Sequence, residues 1–189
     1  LAAHNSHLNL VADSTLPDLW RRHFLDSAQL ADEIPEGSKT IVDLGSGAGF
    51  PGMVLAIMLG AQPTMPGLQV HLIEATLKKC RFLEKVAGAT DAPVKVHWSR
   101  AQAVRHLTAD VVTARAVAPL AKLLGLAYPF FGAETIGLFL KGRGLDAELT
   151  LARESWTLHV TRVPSRSDPS GSILRVTGLS PWRKPRRPS

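Results

Sequence analysis

A single cysteine, Cys80, stands in 189 residues. One thiol excludes an internal disulfide and any cysteine-based zinc cluster, and it fits a reducing cytoplasm. Long apolar runs are missing as well. Met53 to Leu59 and Ile136 to Leu140 fall far short of the roughly 20 residues that a membrane-spanning helix needs. A cytoplasmic chain without membrane contact is expected, and no leader peptide is read at its N-terminus. No G-K-[ST] follows the glycine-rich segment, which removes the phosphate grip of a nucleotide-binding P-loop.

What is present suits one α/β domain with appendages. Hydrophobic residues make up 45% of the chain, enough for one substantial core and too little chain for a second full domain. The formal charge is +6, from 22 basic and 16 acidic side chains, which favours a polyanionic partner without identifying one. Four of the basic residues sit in Pro181–Ser189, so the remainder carries 18 against 16. That tail reads equally as a flexible arm for phosphates and as a solvated terminus without a partner.

The organising stretch is Thr40-Ile-Val-Asp-Leu-Gly-Ser-Gly-Ala-Gly-Phe-Pro-Gly-Met-Val-Leu55. Its apolar, β-branched start predicts a strand buried on both faces of a parallel sheet. Asp43 interrupts that run near its C-terminal end. Gly45, Gly47 and Gly49 then allow a sharp turn and close approach of a ligand, Phe50 would lie over that ligand, and Pro51 suits the first turn of a helix. Ligands of open α/β sheets bind beyond the carboxyl ends of the strands, so the loop's position predicts a binding site. A dinucleotide fingerprint would need G-x-G-x-x-G, whereas Phe50 holds the last glycine position and the glycines run G-x-G-x-G.

Apolar positions Leu16, Leu19, Trp20, Phe24, Leu25, Ala28 and Leu30 predict an N-terminal helical cap over residues 1–33. Strands are predicted at Leu68–Ile73, Val94–Trp98, Asp110–Ala114 and Glu134–Leu140, with helices from Leu77, over Leu120–Phe131 and over Leu145–Arg153. Trp156–Val163 and Ser172–Val176 predict an antiparallel hairpin at the sheet edge, giving seven strands. The α/β domain is drawn over residues 34–178 and the basic tail over 179–189. Glu74, 25 residues past Gly49 at the end of the second strand, is placed to accept hydrogen bonds from ribose hydroxyls; a surface glutamate before a helix is the plainer reading. Leu77, Cys80, Leu83 and Val86 share one helix face, which makes Cys80 a packing residue. Arg115, at the end of the fourth strand, is a candidate for substrate contact or a salt-bridge partner of Asp43 or Glu74.

Asp43 to Gly52 resembles the first motif of class I S-adenosylmethionine-dependent methyltransferases, a Rossmann-like fold with a seven-stranded sheet. Arg22-His23-Phe24-Leu25-Asp26-Ser27 resembles the R-H-I-L-D-S of the RsmG (GidB) family, and Asp43–Gly52 its D-x-G-S-G-A-G-F-P-G. Asn5, Asn9-Leu10, Ser99-Arg100 and Arg115-Ala116 resemble further segments of that family. The chain departs from the pattern at His4, Val11, Gln102, Ala114 and Val117. The resemblance implies an enzyme that methylates N7 of a guanine in 16S rRNA of the small ribosomal subunit, with S-adenosyl-L-methionine as methyl donor, no metal, and a monomeric state. It implies cofactor contacts at Gly45, Phe50, Ala101, Gln102 and Arg115, beside Asp43, Gly47, Gly49 and Glu74. Arg115 and Lys141 become acceptor-site candidates, and His23 and Asp26 either a substrate-side wall or a fastening for the N-terminal helices.

N7 of guanine carries a free lone pair, so no general base is demanded. In keeping with this the sequence has no N/D-P-P-F/Y box for amino-group methylation and no catalytic cysteine pair for carbon methylation. A small-molecule methyltransferase would share the glycine loop and Glu74 but leave the R-H-x-L-D-S segment unexplained. A non-enzymatic RNA-binding module would bind no cofactor.

Overall fold

The computed structural model of the chain describes residues 1–104 and 106–182. Strands β1 (Thr40–Leu44), β2 (Gln69–Glu74), β3 (Val94–Trp98), β4 (Ala109–Arg115) and β5 (Phe131–Lys141) pair in parallel, and β6 (Trp156–Pro164) and β7 (Ser172–Pro181) form an antiparallel hairpin. The sheet order is β3-β2-β1-β4-β5-β7-β6, with β7 antiparallel to β5. Strand β1 thus has β2 on one side and β4 on the other, and the crevice where the winding reverses opens at their carboxyl ends.

Alternation along β1 explains why both faces are covered. Ile41 points into a core shared with Leu55, Leu72 and Leu83, whereas Val42 and Leu44 point into a second core with Leu120, Leu124 and Leu149. Helices α3 (Gly52–Leu59) and α4 (Leu77–Thr90) contribute to the first core; α5 (Leu120–Ala127) and α6 (Leu145–Arg153) contribute to the second. At the opposite end of the sheet Asp110 accepts from the backbone N–H groups of Lys39 (2.7 Å) and Thr40 (2.9 Å), which pins the entry into β1.

The N-terminal cap is irregular where the pattern predicted regular helix. After α1 (Ala2–Leu8) come a 3-10 turn Asp13–Asp18, a π-helical stretch Trp20–Leu25, the short α2 (Asp26–Ala28) and a 3-10 turn Gln29–Glu33. Pro17 lies inside the first of these. Two other boundaries shift. Pro129 converts the expected end of α5 into a 3-10 turn, Tyr128–Phe130, and β5 starts at Phe131 rather than Glu134. Strand β7 runs past residue 178 to Pro181, which pairs with Trp156, so residues 179–181 belong to the sheet rather than to a tail. Gly178, at φ 61°, and a bulge between Thr157 and His159 accommodate this extension. Trp182 follows, its N–H bonded to the Ser155 carbonyl, and residues 183–189 of the basic tail lie outside the described residues. Among the described residues no helix is long and apolar enough to cross a membrane.

Candidate functional site

A cavity of about 480 Å³ lies at the carboxyl ends of β1 and β4. The glycine loop forms one wall, with Gly45, Ser46, Gly47, Ala48 and Phe50 exposed to it. Gly45 (φ 62°) and Gly47 (φ 56°) both occupy the left-handed region that favours glycine, and a Cβ on Gly45 would come within 2.9 Å of Val117. Bare backbone therefore faces the cavity. Glu74 braces the loop from β2: its carboxylate accepts from the N–H groups of Gly47 (3.0 Å) and Thr76 (2.7 Å), leaving lone pairs for a further donor. Ser99 N–H bonds to the Glu74 carbonyl at 3.0 Å, which sets the following turn, Ala101–Ala103, beside Glu74. Gln102 is exposed there.

Asp43 is fully buried and does not reach the cavity, contrary to a direct ligand contact. It shares the face of Ile41 on β1 and points toward the start of α3, where a Cβ on Gly52 would meet it. Oδ1 accepts from the Thr113 hydroxyl at 2.7 Å, while Oδ2 is buried without a partner. Burial pushes its pKa up to about 6, against the pull of the Thr113 hydroxyl. Gly49 turns away from the cavity as well, and a Cβ there would meet Met53 at 2.6 Å. Its missing side chain leaves room for Met53 of α3 and Leu83 of α4, whereas Gly52 is the glycine that lets α3 start close to Asp43 of β1.

Arg115 lines the same cavity, one residue past the pairing of Ala114 with Leu44. Its Nη1 donates to the Arg22 carbonyl (2.9 Å) and to Asp26 (3.3 Å), and its Nη2 donates to His23 Nδ1 (2.7 Å). Its guanidinium carbon sits 5.1 Å from the centre of the Phe50 ring. Neither Asp43 nor Glu74 is its salt-bridge partner; Asp26, from the N-terminal cap, is. Because an arginine only donates, His23 Nδ1 must be the acceptor and the ring proton lies on Nε2. Nε2 then donates to the Thr15 hydroxyl (2.7 Å), which in turn donates to the Ala12 carbonyl (2.6 Å). Burial, reinforced by the Arg115 charge, pulls His23 down to about 4, so the ring is neutral at pH 7. Ala116 follows at φ 54°, a strained conformation for a residue with a Cβ, and it lines the cavity.

The loop between β6 and β7 closes the cavity from the far side, a role the sequence reading did not assign to it. Ser167 donates to Asp26, and Gln29 donates to Asp26 (3.1 Å) and Ser165 (3.2 Å). Arg21 reaches the Ser167 carbonyl at 2.9 Å. Lys141 lines a second, adjoining cavity of about 250 Å³ that shares Asp26, Arg115, Ala116 and Asp168 with the first. Its ammonium is paired with Glu148 at 2.6 Å. Among the described residues no group of three or more His, Cys, Asp or Glu side chains is placed to hold a metal ion.

The glycine loop and the R-H-x-L-D-S segment therefore meet across one cavity. Residues 1–173 match the family described as rRNA small subunit methyltransferase G (GidB). This chain belongs to that family. Among methyltransferase G relatives, the "Ribosomal RNA small subunit methyltransferase G" of Parvibaculum lavamentivorans is 55% identical over 174 residues, covering 91% of this chain and 76% of its own. The fold is that of S-adenosylmethionine-dependent methyltransferases. One from Aquifex aeolicus aligns with a TM-score of 0.61 at 15% identity, over 85% of this chain and 93% of that one. Aeropyrum pernix fibrillarin, solved with natively bound S-adenosyl-L-methionine, aligns with a TM-score of 0.60 at 14% identity, over 82% of this chain and 76% of that one.

The site also fits the methyl donor chemically. That molecule carries sulfonium and ammonium charges, and the loop is underlain by Asp43, with its orphaned oxygen, and flanked by Glu74. It has no phosphate, and no G-K-[ST] is present to grip one.

Proposed function

We propose that this chain transfers a methyl group from S-adenosyl-L-methionine to N7 of a guanine in 16S rRNA, acting in the cytoplasm on the small ribosomal subunit or its RNA. One observation carries the site assignment: the bare loop Gly45–Gly47 and the Arg115–His23–Asp26 cluster line a single cavity. The donor supplies an electrophilic methyl group on a cationic sulfur. The N7 lone pair forms the new N–C bond as the S–C bonding pair returns to sulfur, and no proton has to leave.

What the chain must do is position and dehydrate. Gly45 and Gly47 admit the donor, Glu74 receives its ribose hydroxyls, and the Ala101–Gln102 turn borders the adenine. Phe50 covers the methyl-bearing end. Arg115 spends three of its five N–H groups on Arg22, Asp26 and His23, which leaves Nε–H and one Nη2–H for the acceptor among the described residues. The O6 atom beside N7 of guanine is an acceptor of the right kind. Lys141, already paired with Glu148, serves as a neighbouring positive charge rather than a proton donor. His23 cannot act as a base while Arg115 occupies Nδ1, in keeping with a reaction that needs none.

The test is methyl transfer from labelled S-adenosyl-L-methionine to small ribosomal subunits, to their naked RNA and to free guanosine. Transfer to subunits or RNA with guanosine inert supports the reading. Equal transfer to guanosine contradicts it in favour of a small-molecule enzyme, and failure to bind the donor at millimolar concentration removes the enzyme reading.

A further inference from the structure

Three carboxylates line the two adjoining cavities: Asp26, Glu148 and Asp168. Two are committed. Asp26 accepts from Arg115, Ser167 and Gln29, and Glu148 accepts from Lys141 and from the Leu120 N–H at 2.6 Å. Asp168 differs. Its Oδ1 accepts from the N–H and the hydroxyl of Ser170, both at 2.8 Å, whereas Oδ2 makes no hydrogen bond among the described residues. Those two bonds hold the carboxyl below the usual carboxylate range, and Arg22 and Arg143 add to the effect. The residue lies on the β6–β7 loop and borders both cavities, the first of which it shares with the glycine loop.

We propose that Asp168 reads the target guanine, its Oδ2 accepting from the N1–H and 2-amino groups on the base edge opposite N7. This rests on the methyltransferase function proposed above. The base's own geometry supports it. N7 and O6 must face the donor and Arg115, so the edge carrying N1 and N2 points away, toward the β6–β7 loop. That edge presents only donors in guanine, and a carboxylate offers only acceptors. Adenine has no donor at N1 and no 2-amino group, so it leaves the carboxylate desolvated and unpaired.

The contact also strengthens during reaction. As N7 gains a methyl group the ring becomes cationic and N1–H becomes more acidic, so its hydrogen bond to a carboxylate grows stronger in the transition state than in the bound substrate. An interaction of that kind raises kcat as well as binding. Asp26 and Ser167 then act as positioning residues, because they tie the β6–β7 loop to the cap that holds Arg115.

The experiment uses the full chain, small ribosomal subunits reconstituted with guanine or inosine at the target nucleotide, and Asp168→Asn. Asparagine keeps an oxygen for Ser170, so the loop is retained; thermal melting and calorimetric binding of S-adenosyl-L-methionine verify fold and donor site. The expected results are a fall in kcat/KM of about tenfold or more on the guanine substrate, with kcat itself reduced, and donor affinity unchanged. The wild type should also lose about tenfold on inosine, which lacks the 2-amino group, and the variant should not distinguish the two substrates. A variant that matches the wild type on guanine, or still penalises inosine as the wild type does, overturns the assignment of Asp168 alone. A wild-type chain that binds the donor but methylates no rRNA guanine overturns both this assignment and the function on which it rests.

Discussion

Arg115 on β4 donates to Nδ1 of His23 across 2.7 Å, joining residues 92 positions apart in the chain. The bond does two jobs. It fastens the N-terminal cap to the sheet, and with the bonds to Arg22 and Asp26 it fixes which guanidinium hydrogens remain without a partner among the described residues. Of the two readings open for His23, the fastening is made by its bond to Arg115; the ring also lines the cavity, and the substrate-side wall stays the role proposed for it there.

Removing the guanidinium should therefore cost catalysis more than fold. Arg115→Ala is expected to lower kcat/KM for ribosomal RNA by about 100-fold or more, as loss of a preorganised donor does elsewhere. Arg115→Lys should recover little of it, because one ammonium cannot reproduce the three bonds to Arg22, Asp26 and His23. Steady-state kinetics on both variants decides the matter; a lysine variant near wild-type activity would show that charge alone suffices.

The glycine loop should be intolerant at Gly45. An alanine there must hold φ near 62° and meet Val117 at 2.9 Å. The backbone strain alone is worth roughly 1–2 kcal/mol. Gly45→Ala is expected to weaken donor binding, and Gly45→Asp to abolish it by driving a larger, charged side chain against Val117 and displacing the loop. Isothermal calorimetry measures both, and undiminished affinity in Gly45→Asp would remove the loop from the donor site.

Buried Asn5 should be worth more to stability than its place near the chain's start suggests. Its Oδ1 accepts from the N–H groups of Leu10 (3.0 Å) and Val11 (2.9 Å), and its Nδ2 donates to the Val11 carbonyl (3.1 Å) and Asp13 (2.8 Å). Asn5→Ala is expected to destabilise the chain by about 2 kcal/mol, the cost of leaving such buried groups unpaired. Urea unfolding reads this directly, and a change below about 0.5 kcal/mol would place the network among ordinary surface contacts.

Acid should loosen the fold before it protonates most carboxylates. His23 and His71 are both pulled down by burial to about 4, from an ordinary value of 6.5. Between those values the unfolded chain binds the more protons, so stability is lost as pH falls through the window. Asp43 works in the opposite sense: its carboxyl holds a proton up to about 6, which favours the folded chain as pH falls from 6 toward 3.8. Two histidines outweigh one aspartate, and His97, also lowered, adds to their side. The unfolding midpoint in urea should therefore be lower at pH 5 than at pH 7. An equal or higher midpoint at pH 5 would contradict these assignments.

The parts of the molecule legible in the sequence are those decided locally. Thr40–Leu44 is β-branched and apolar, the glycines that follow have no competing use, and Glu74 sits where β2 must end. What was not legible depends on distant chain. Nothing near Arg115 announces that its partner is Asp26 rather than Asp43 or Glu74, because the choice is made by how the cap folds back. Asp43 looked like a ligand contact by its place beside the loop, yet strand alternation turns it under α3. Ser165–Gly171 has the composition of any solvated turn, and only the pairing of Gln29 and Asp26 with Ser165 and Ser167 shows that it borders the site.

The central claim is that this chain places a methyl group on N7 of one guanine in 16S rRNA. Small-subunit RNA from cells lacking the protein, treated with the pure chain and S-adenosyl-L-methionine, can be digested and mapped by mass spectrometry. A single 7-methylguanosine should be present after treatment with the wild type and absent after treatment with Gly45→Asp. A methyl group on another atom or another base, or no difference between the two treatments, contradicts it.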